Sequence, residues 1–251
     1  MDDPAVLYDR EPPWAWVRLN RPQVHNAFNV ELRDGLHEAL GTAEADPEVL
    51  GVAILGEGPS FGTGGDLREF SLEPRPWRNK LIRRERDVWG RLLHHRCLTA
   101  AAVHGNVAGS GLELALYCDL RLADPESRWL LPETGLGMIP GAGGTQLLPR
   151  LVRPGRALKW MLAGESIDGR EAHRLGLAQA LIPAAERRQA AREWFARRID
   201  PLLARDAGAV LRLKALLRQG LELPLERGLD LERLAAHGRW GGGRIPTAPD
   251  R

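Results

Sequence analysis

The run WAWVRL at 14–19 clusters bulky apolar residues and predicts a strand. NRPQVHNAFN at 20–29 is polar, contains a proline and predicts a loop. Between 30 and 44, Leu32, Leu36, Ala39 and Leu40 fall on one face at helical spacing. GVAILG at 51–56 reads as a short buried strand, and EGPSFGTGGD at 57–66 as a loop with four glycines. A short helix is expected after Gly65, with Asp66 near its N-terminus. Residues 76–96 predict a long amphipathic helix. Its apolar face holds Leu81, Val88 and Leu92, extended by Trp77 and Trp89, and it leaves His94 and His95 solvated. A strand at 98–104 leads through a second glycine loop, GNVAGSG at 105–111, into a helix at 109–117 and a strand ending near 122.

This alternation of strands and helices places the chain in the α/β class. In such folds ligands gather at the loops leaving the carboxyl ends of the strands. Both glycine loops follow strands, after 56 and after 104. From about 142 the pattern turns helical, with GAGGTQLLPRLV and PGRALKWMLAG as two segments. A short helix and a strand near 177–181 come next, then an arginine-rich helix at 184–199 with Trp194, Phe195 and Ile199 as its apolar residues. Helices are expected at 205–218 and 223–236, and the glycine- and proline-rich tail is expected to be irregular.

Composition narrows the function classes. A length of 251 residues fits one large domain or one domain with an appendage. Apolar residues at 43% suffice for a sizeable core. A net charge of +2 gives no case for nucleic-acid binding. Cys97 and Cys118 form no metal or redox motif, and a cytoplasmic, reducing setting is the default. The opening MDDPAVLYDR is acidic and reads against a secretion signal, and no apolar run reaches the ~18 residues of a membrane span.

The chemistry concentrates at two glycine loops and two acids. In FGTGGD the glycines expose backbone N–H groups that can hold an anion or a developing oxyanion, though a tight strand-to-helix turn needs glycines equally. In GNVAGSG the N–H groups of Ser110 and Gly111 fall in the first helical turn, where they lack intrahelical partners. Ser110 is open to three roles: helix cap, nucleophile or backbone donor. His104 is close in sequence but ends a strand, and it reads as structural, like His25. Glu113 is an acid among Leu112, Leu114, Ala115 and Leu116, and Glu133 follows a proline in the run WLLPETGLGMIPG. Two such acids can be tuned apart as acid and base, or can be an ordinary surface residue and a turn cap. No His or Cys spacing suggests a metal.

Four blocks in order, NRPQVHNAFN at 20–29, SFGTGGDLREF at 60–70, VHGNVAGSGLELALYCDLRLA at 103–123 and the stretch from LPETGLGMIPGAGGTQ at 131 to Ile182, give the chain a specific likeness. It resembles the enoyl-CoA hydratase/isomerase family, the crotonase superfamily, over residues 6–200. The resemblance implies an α/β spiral of strand–strand–helix (ββα) units, with residues 1–195 as core and 196–251 as a C-terminal helical trimerisation region with an irregular tail. It implies a homotrimer or a hexamer made of two trimers. It implies an acyl-CoA substrate, no cofactor beyond that thioester, no metal, no nucleic acid and no membrane. The oxyanion-hole N–H groups map to Gly65 and Ser110, and the catalytic acids to Glu113 and Glu133. Substrate-binding positions map to Ala27, Thr63, Gly65, Asp66, Leu67 and Trp129. Retention of both acids favours reversible hydration of a 2-trans-enoyl-CoA. Isomerase, decarboxylase and C–C hydrolase relatives, and a non-catalytic acyl-thioester binder, are the alternatives. The chain departs from the family pattern at Ser110, usually glycine, at the bulky Trp129-Leu130-Leu131, and in its C-terminal block, which leaves room for a carrier-protein thioester.

Overall fold

Among the described residues nine strands divide between two sheets. They are β1 (Val6–Glu11), β2 (Trp14–Leu19), β3 (Gly51–Gly56), β4 (Leu98–Val103), β5 (Asn106–Ala108), β6 (Leu120–Ala123), β7 (Arg128–Leu130), β8 (Ile167–Asp168) and β9 (Ala180–Leu181). The larger sheet has the order β1-β2-β3-β4-β6-β9 and the smaller β5-β7-β8. This computed structural model describes residues 3–70 and 86–237. Strands β2, β3, β4, β6 and β9 are mutually parallel, and β1 runs antiparallel along β2. β3 and β4 are buried along their whole length, which is why they read as unbroken apolar runs.

The chain spirals by stepping from the large sheet to the small one and then into a helix. β4 passes through Gly105 to β5 and then to helix α4 (Ser110–Tyr117), whereas β6 passes to β7 and the helical segment beyond it. After β3 the same step occurs in miniature, because Gly62 makes a parallel bridge to Val107 of β5. The corner at Gly105 demands glycine: its φ is +55°, and a Cβ there would lie 1.9 Å from the Pro59 carbonyl oxygen. The repeated strand–strand–helix step agrees with the expected spiral.

The chain forms two compact units, Met1–Phe195 and Ala196–Arg251. In the first, α1 (Val30–Ala45) is capped by the Asn29 side chain, which accepts from the Leu32 N–H at 2.9 Å, and buries the expected Leu32, Leu36, Ala39 and Leu40. The helix α8 (Arg187–Arg198) ties back to the first two strands. Phe195 stacks on Trp14 with ring centroids 3.9 Å apart. Arg188 and Arg192 lie over the Trp16 ring at 5.4 and 5.7 Å and pair with Glu11. In the second unit, α9 (Asp200–Gly220) contains a break at Asp206, whose side chain caps the following turn through the Ala209 N–H at 2.8 Å. α10 (Leu225–Ala236) follows.

Three expectations change. Strands β1, β5, β7 and β8 add to those read from the pattern, and three of them compose the small sheet. Of the helix expected at 76–96, residues 76–85 lie outside the described residues; the described helix α3 is Val88–Leu93, started by the Asp87 side chain accepting from the Gly90 N–H at 2.9 Å. His95 is not solvated. It is buried beyond the end of that helix, its Nδ1 accepting from the Cys97 N–H at 3.2 Å and its Nε2–H donating to the Leu40 carbonyl at 3.2 Å.

The two glycine loops touch backbone to backbone. A Cβ on Gly111 would lie 2.4 Å from the Gly62 carbonyl oxygen, a contact that neither main chain can escape by rotating a side chain. Gly111→Ala is expected to cost ~1–3 kcal/mol, the range for overpacking a close contact. Chemical denaturation checks it; an unchanged midpoint contradicts the close approach.

Candidate active site

The buried side chain of Asn26 ties the loop 20–29 to the loop after β3. Asn26 is buried in left-handed backbone, φ +55°. Its Oδ1 accepts from the Arg21 N–H at 2.8 Å, and its Nδ2 donates to the carbonyls of Glu57 and Ser60 at 2.9 and 2.7 Å. Arg21 then donates to the Ala27 carbonyl at 2.6 Å and pairs with Asp66 at 3.2 Å. The Phe28 N–H donates to the Gly64 carbonyl at 2.7 Å, and the Asp66 N–H donates to the Phe28 carbonyl at 2.9 Å. In this parallel bridge Phe28 takes both bonds, so the N–H of Gly65 turns to the opposite side. It makes no hydrogen bond among the described residues.

Ser110 is the first residue of α4, after Gly109 at φ +49°. Its N–H is one of the helix's unpaired first donors, and the peptide dipoles of the helix add positive potential there. Residues 62–64 run against 109–111: Gly64 Cα lies 3.1 Å from the position of a Cβ on Gly109. The two loops thus bring the Gly65 and Ser110 segments to one place. Ser110 is partly exposed, and no hydrogen bond engages its hydroxyl among the described residues.

Both acids reach this place. Glu113 lies one turn after Ser110 and is 1% exposed. Its Oε1 accepts from the Ala142 N–H at 2.9 Å and the Gly144 N–H at 2.8 Å, so the 141–144 glycine run grips it. Glu133 starts a 3₁₀ turn, Glu133–Leu136. Its Oε1 lies 2.9 Å from where a Cβ on Gly109 would stand, so glycine at 109 makes room for the carboxylate. Its Oε2 is enclosed and makes no hydrogen bond among the described residues. Burial pushes the Glu133 carboxyl above the ordinary glutamate value, and the charge of Glu113 pushes it further. The two acids therefore sense one another but live in different surroundings: Glu113 is held by two N–H donors from another loop, whereas Glu133 has only its own backbone N–H and an Oε2 without a partner among the described residues.

The remaining expected positions divide. Ala27, Thr63, Asp66 and Leu67 gather around Gly65. Thr63 donates to the His25 carbonyl at 3.3 Å, Leu67 is exposed, and Asp66 is engaged by Arg21 and by the Arg68 N–H. Trp129 is elsewhere in character. Its ring is fully enclosed in the core, and its indole N–H donates to Ser127 Oγ at 2.9 Å. His104 does not serve Ser110, because its Nε2 is 2.8 Å from the Gly58 carbonyl oxygen that it donates to. Sequence reasoning missed Arg21, Asn26 and the N–H groups of Ala142 and Gly144. The glycine run was visible, but a backbone donor carries no residue-type signal.

Comparison with known proteins agrees with the geometry. The family model described as enoyl-CoA hydratase/isomerase matches residues 13–237. The 2,3-dehydroadipyl-CoA hydratase of Escherichia coli is 36% identical over 91% of this chain and 87% of its own length. The short-chain-enoyl-CoA hydratase of Clostridium acetobutylicum is 34% identical, over 90% and 86%. A Thermobifida fusca relative whose structure was solved in complex with CoA superimposes with a TM-score of 0.82 at 31% identity, covering 94% of this chain and 93% of that one. The two adjoining glycine loops, the paired acids and these likenesses lead to one conclusion: the chain belongs to the enoyl-CoA hydratase/isomerase family.

Proposed function

We propose that this protein adds water reversibly across the double bond of a 2-trans-enoyl thioester of coenzyme A. The observation that carries the reading is the enclosed pair Glu113 and Glu133 beside the start of α4. The thioester oxygen sits between the N–H groups of Gly65 and Ser110. As the oxygen of water bonds to Cβ, the π electrons move through Cα onto the thioester oxygen, and these two donors stabilise the enolate charge. Glu133 gives a proton to Cα. The proton that water loses passes to Glu113, and return of a proton between the acids restores the starting state. A Glu133 carboxyl held above its ordinary value is suited to keep the proton it must give.

Ala27, Thr63 and Leu67 form the rim for the CoA portion in this reading, with Asp66 holding that rim through Arg21. The CoA-bound and acetoacetyl-CoA-bound structures of the Thermobifida fusca relative support a CoA thioester. Residues 1–195 are assigned as the catalytic core and 196–251 as an assembly region for a homotrimer or hexamer. Exposed Leu202, Leu213, Leu217, Leu221 and Leu225 in that region support it. No helix among the described residues is long and apolar enough to cross a membrane. The buried thiols of Cys97 and Cys118 fit a cytoplasmic setting.

Loss of the conjugated thioester absorbance of crotonyl-CoA tests the reaction. Glu113→Gln and Glu133→Gln are each expected to lower kcat by roughly 10²–10⁴ with little change in KM. Absence of hydration with every enoyl-CoA tried overturns the reading. Ser110 offers a sharper probe, because proline is tolerated at a first helical position yet lacks the N–H. Ser110→Pro is expected to lower kcat by about 10²–10³. Ser110→Ala, which keeps the N–H, stays near wild type; equal kcat in the two variants removes the backbone donor from the mechanism. The raised Glu133 carboxyl also predicts a sign. Folding favours its protonated form, so its contribution is complete below the ordinary value of 4.5 and is lost as pH rises through the folded-state value. Denaturation at pH 4 and pH 7 is expected to show wild type losing stability relative to Glu133→Gln as pH increases.

A further inference from the structure

Phe28, Trp89 and Tyr117 form an aromatic row that the chemistry above does not use. The rings of Phe28 and Trp89 have centroids 5.2 Å apart, and those of Trp89 and Tyr117 5.5 Å apart. Each ring packs on the core and stays partly exposed. The three come from separate elements: the 20–29 loop, α3 and the last turn of α4.

The ends of the row are tied to the reaction centre. Phe28 is bridged to Gly65 through the bonds to Gly64 and Asp66. Tyr117 stands four residues after Glu113, one turn along the same face of α4. Its hydroxyl oxygen lies 2.6 Å from the position of a Cβ on Gly143, beside the Gly144 N–H that holds Glu113. Burial raises the Tyr117 phenol above its ordinary value, and the nearby charge of Glu113 adds to that. The row therefore runs from the flank of Gly65 to the far side of Glu113, with Trp89 in contact with both neighbours.

We infer that this row is the end wall of the acyl pocket and confines the enzyme to short enoyl chains. The inference rests on the hydratase reading. With the thioester oxygen between Gly65 and Ser110 and Cβ at the two acids, the carbons beyond Cβ leave the centre past Glu113. There they meet the row. Aromatic rings are stiff, and offset stacking holds each against its neighbour. A methyl group beyond Cβ finds an apolar surface. A long chain has to displace Trp89, and Trp89 cannot turn without breaking contact with both partners.

The experiment compares kcat/KM for crotonyl-CoA and trans-2-decenoyl-CoA in wild type, Trp89→Ala and Trp89→Leu. Wild type is expected to favour crotonyl-CoA at least 10-fold, and Trp89→Ala to move the ratio toward decenoyl-CoA by 10-fold or more, the scale on which apolar pockets discriminate. Trp89→Leu keeps core contacts and is expected to move it less, which guards against a folding failure of the alanine variant. A wild type that hydrates both chains equally, or a ratio unmoved in an active, folded variant, overturns the wall. Calorimetric binding of the saturated butyryl-CoA and decanoyl-CoA separates this inference from the reaction itself. If no enoyl-CoA is hydrated, the hydratase reading falls, yet tighter butyryl-CoA binding in wild type that is reduced in Trp89→Leu still upholds the wall. Equal binding of the two overturns it.

Discussion

The contact between Gly62 and Gly111 sets the distance on which the rest of the site depends. No side chain separates the two main chains there: the Gly62 carbonyl oxygen stands 2.4 Å from where a Cβ on Gly111 would be. Because these loops leave neighbouring parallel strands, β3 and β4, their starting points are fixed by the sheet ladder. The glycines then let the loops converge, with Gly62 accepting the Ala108 N–H at 2.8 Å and donating to the Asn106 carbonyl at 3.1 Å. Two backbone N–H groups in different loops become neighbours only because this crossing is so close. In the proposed hydration, preorganisation of this kind needs no rearrangement when negative charge develops between them.

The same crossing explains why two glutamates of equal intrinsic acidity differ here. Glu113 belongs to the helix that begins at the crossing, and it reaches a second glycine run that supplies two N–H donors. Glu133 arrives from after β7, lies against Gly109, and receives burial without donors for Oε2. Desolvation is the first cause of its shift, and the Glu113 charge follows. The asymmetry is a product of backbone supply: two N–H groups of the 141–144 run meet Glu113, whereas Glu133 has only its own backbone N–H and leaves Oε2 without a partner among the described residues.

What the sequence disclosed follows from the same physics. β2, β3 and β4 were legible because strands covered on both faces must be apolar throughout. β1 was not, because as an edge strand it mixes Val6 and Tyr8 with Asp9 and Glu11, whose partners Arg18, Arg188 and Arg192 are distant in sequence. The small sheet was not legible either: three residues at β5 and β7 and two at β8 are too few to show a period. The glycine loops and the placement of Glu113 and Glu133 near them could be read from residue types. His95 could not, since its burial depends on acceptors and donors at Leu40 and Cys97 that are main-chain atoms. Trp129, bulky and just ahead of Glu133, looked like a ligand wall and turned out to be packed on all sides.

The buried amide of Asn26 is a central tie between the two loops that follow β2 and β3. It uses both donor hydrogens and its acceptor on main-chain atoms, while the Arg21–Asp66 and His25–Ser60 pairs add side-chain links between the same loops. Aspartate has the shape but lacks the donors, and an aliphatic residue lacks all three. Gln23, exposed in this loop, takes no part in these links. A lineage can therefore rewrite the outward surface of the loop, and with it whatever that surface meets, at small structural risk while asparagine stays at 26. The outward surface of the loop is thereby separable from the fastener beneath it, and variation in recognition is uncoupled from the geometry of the two acids.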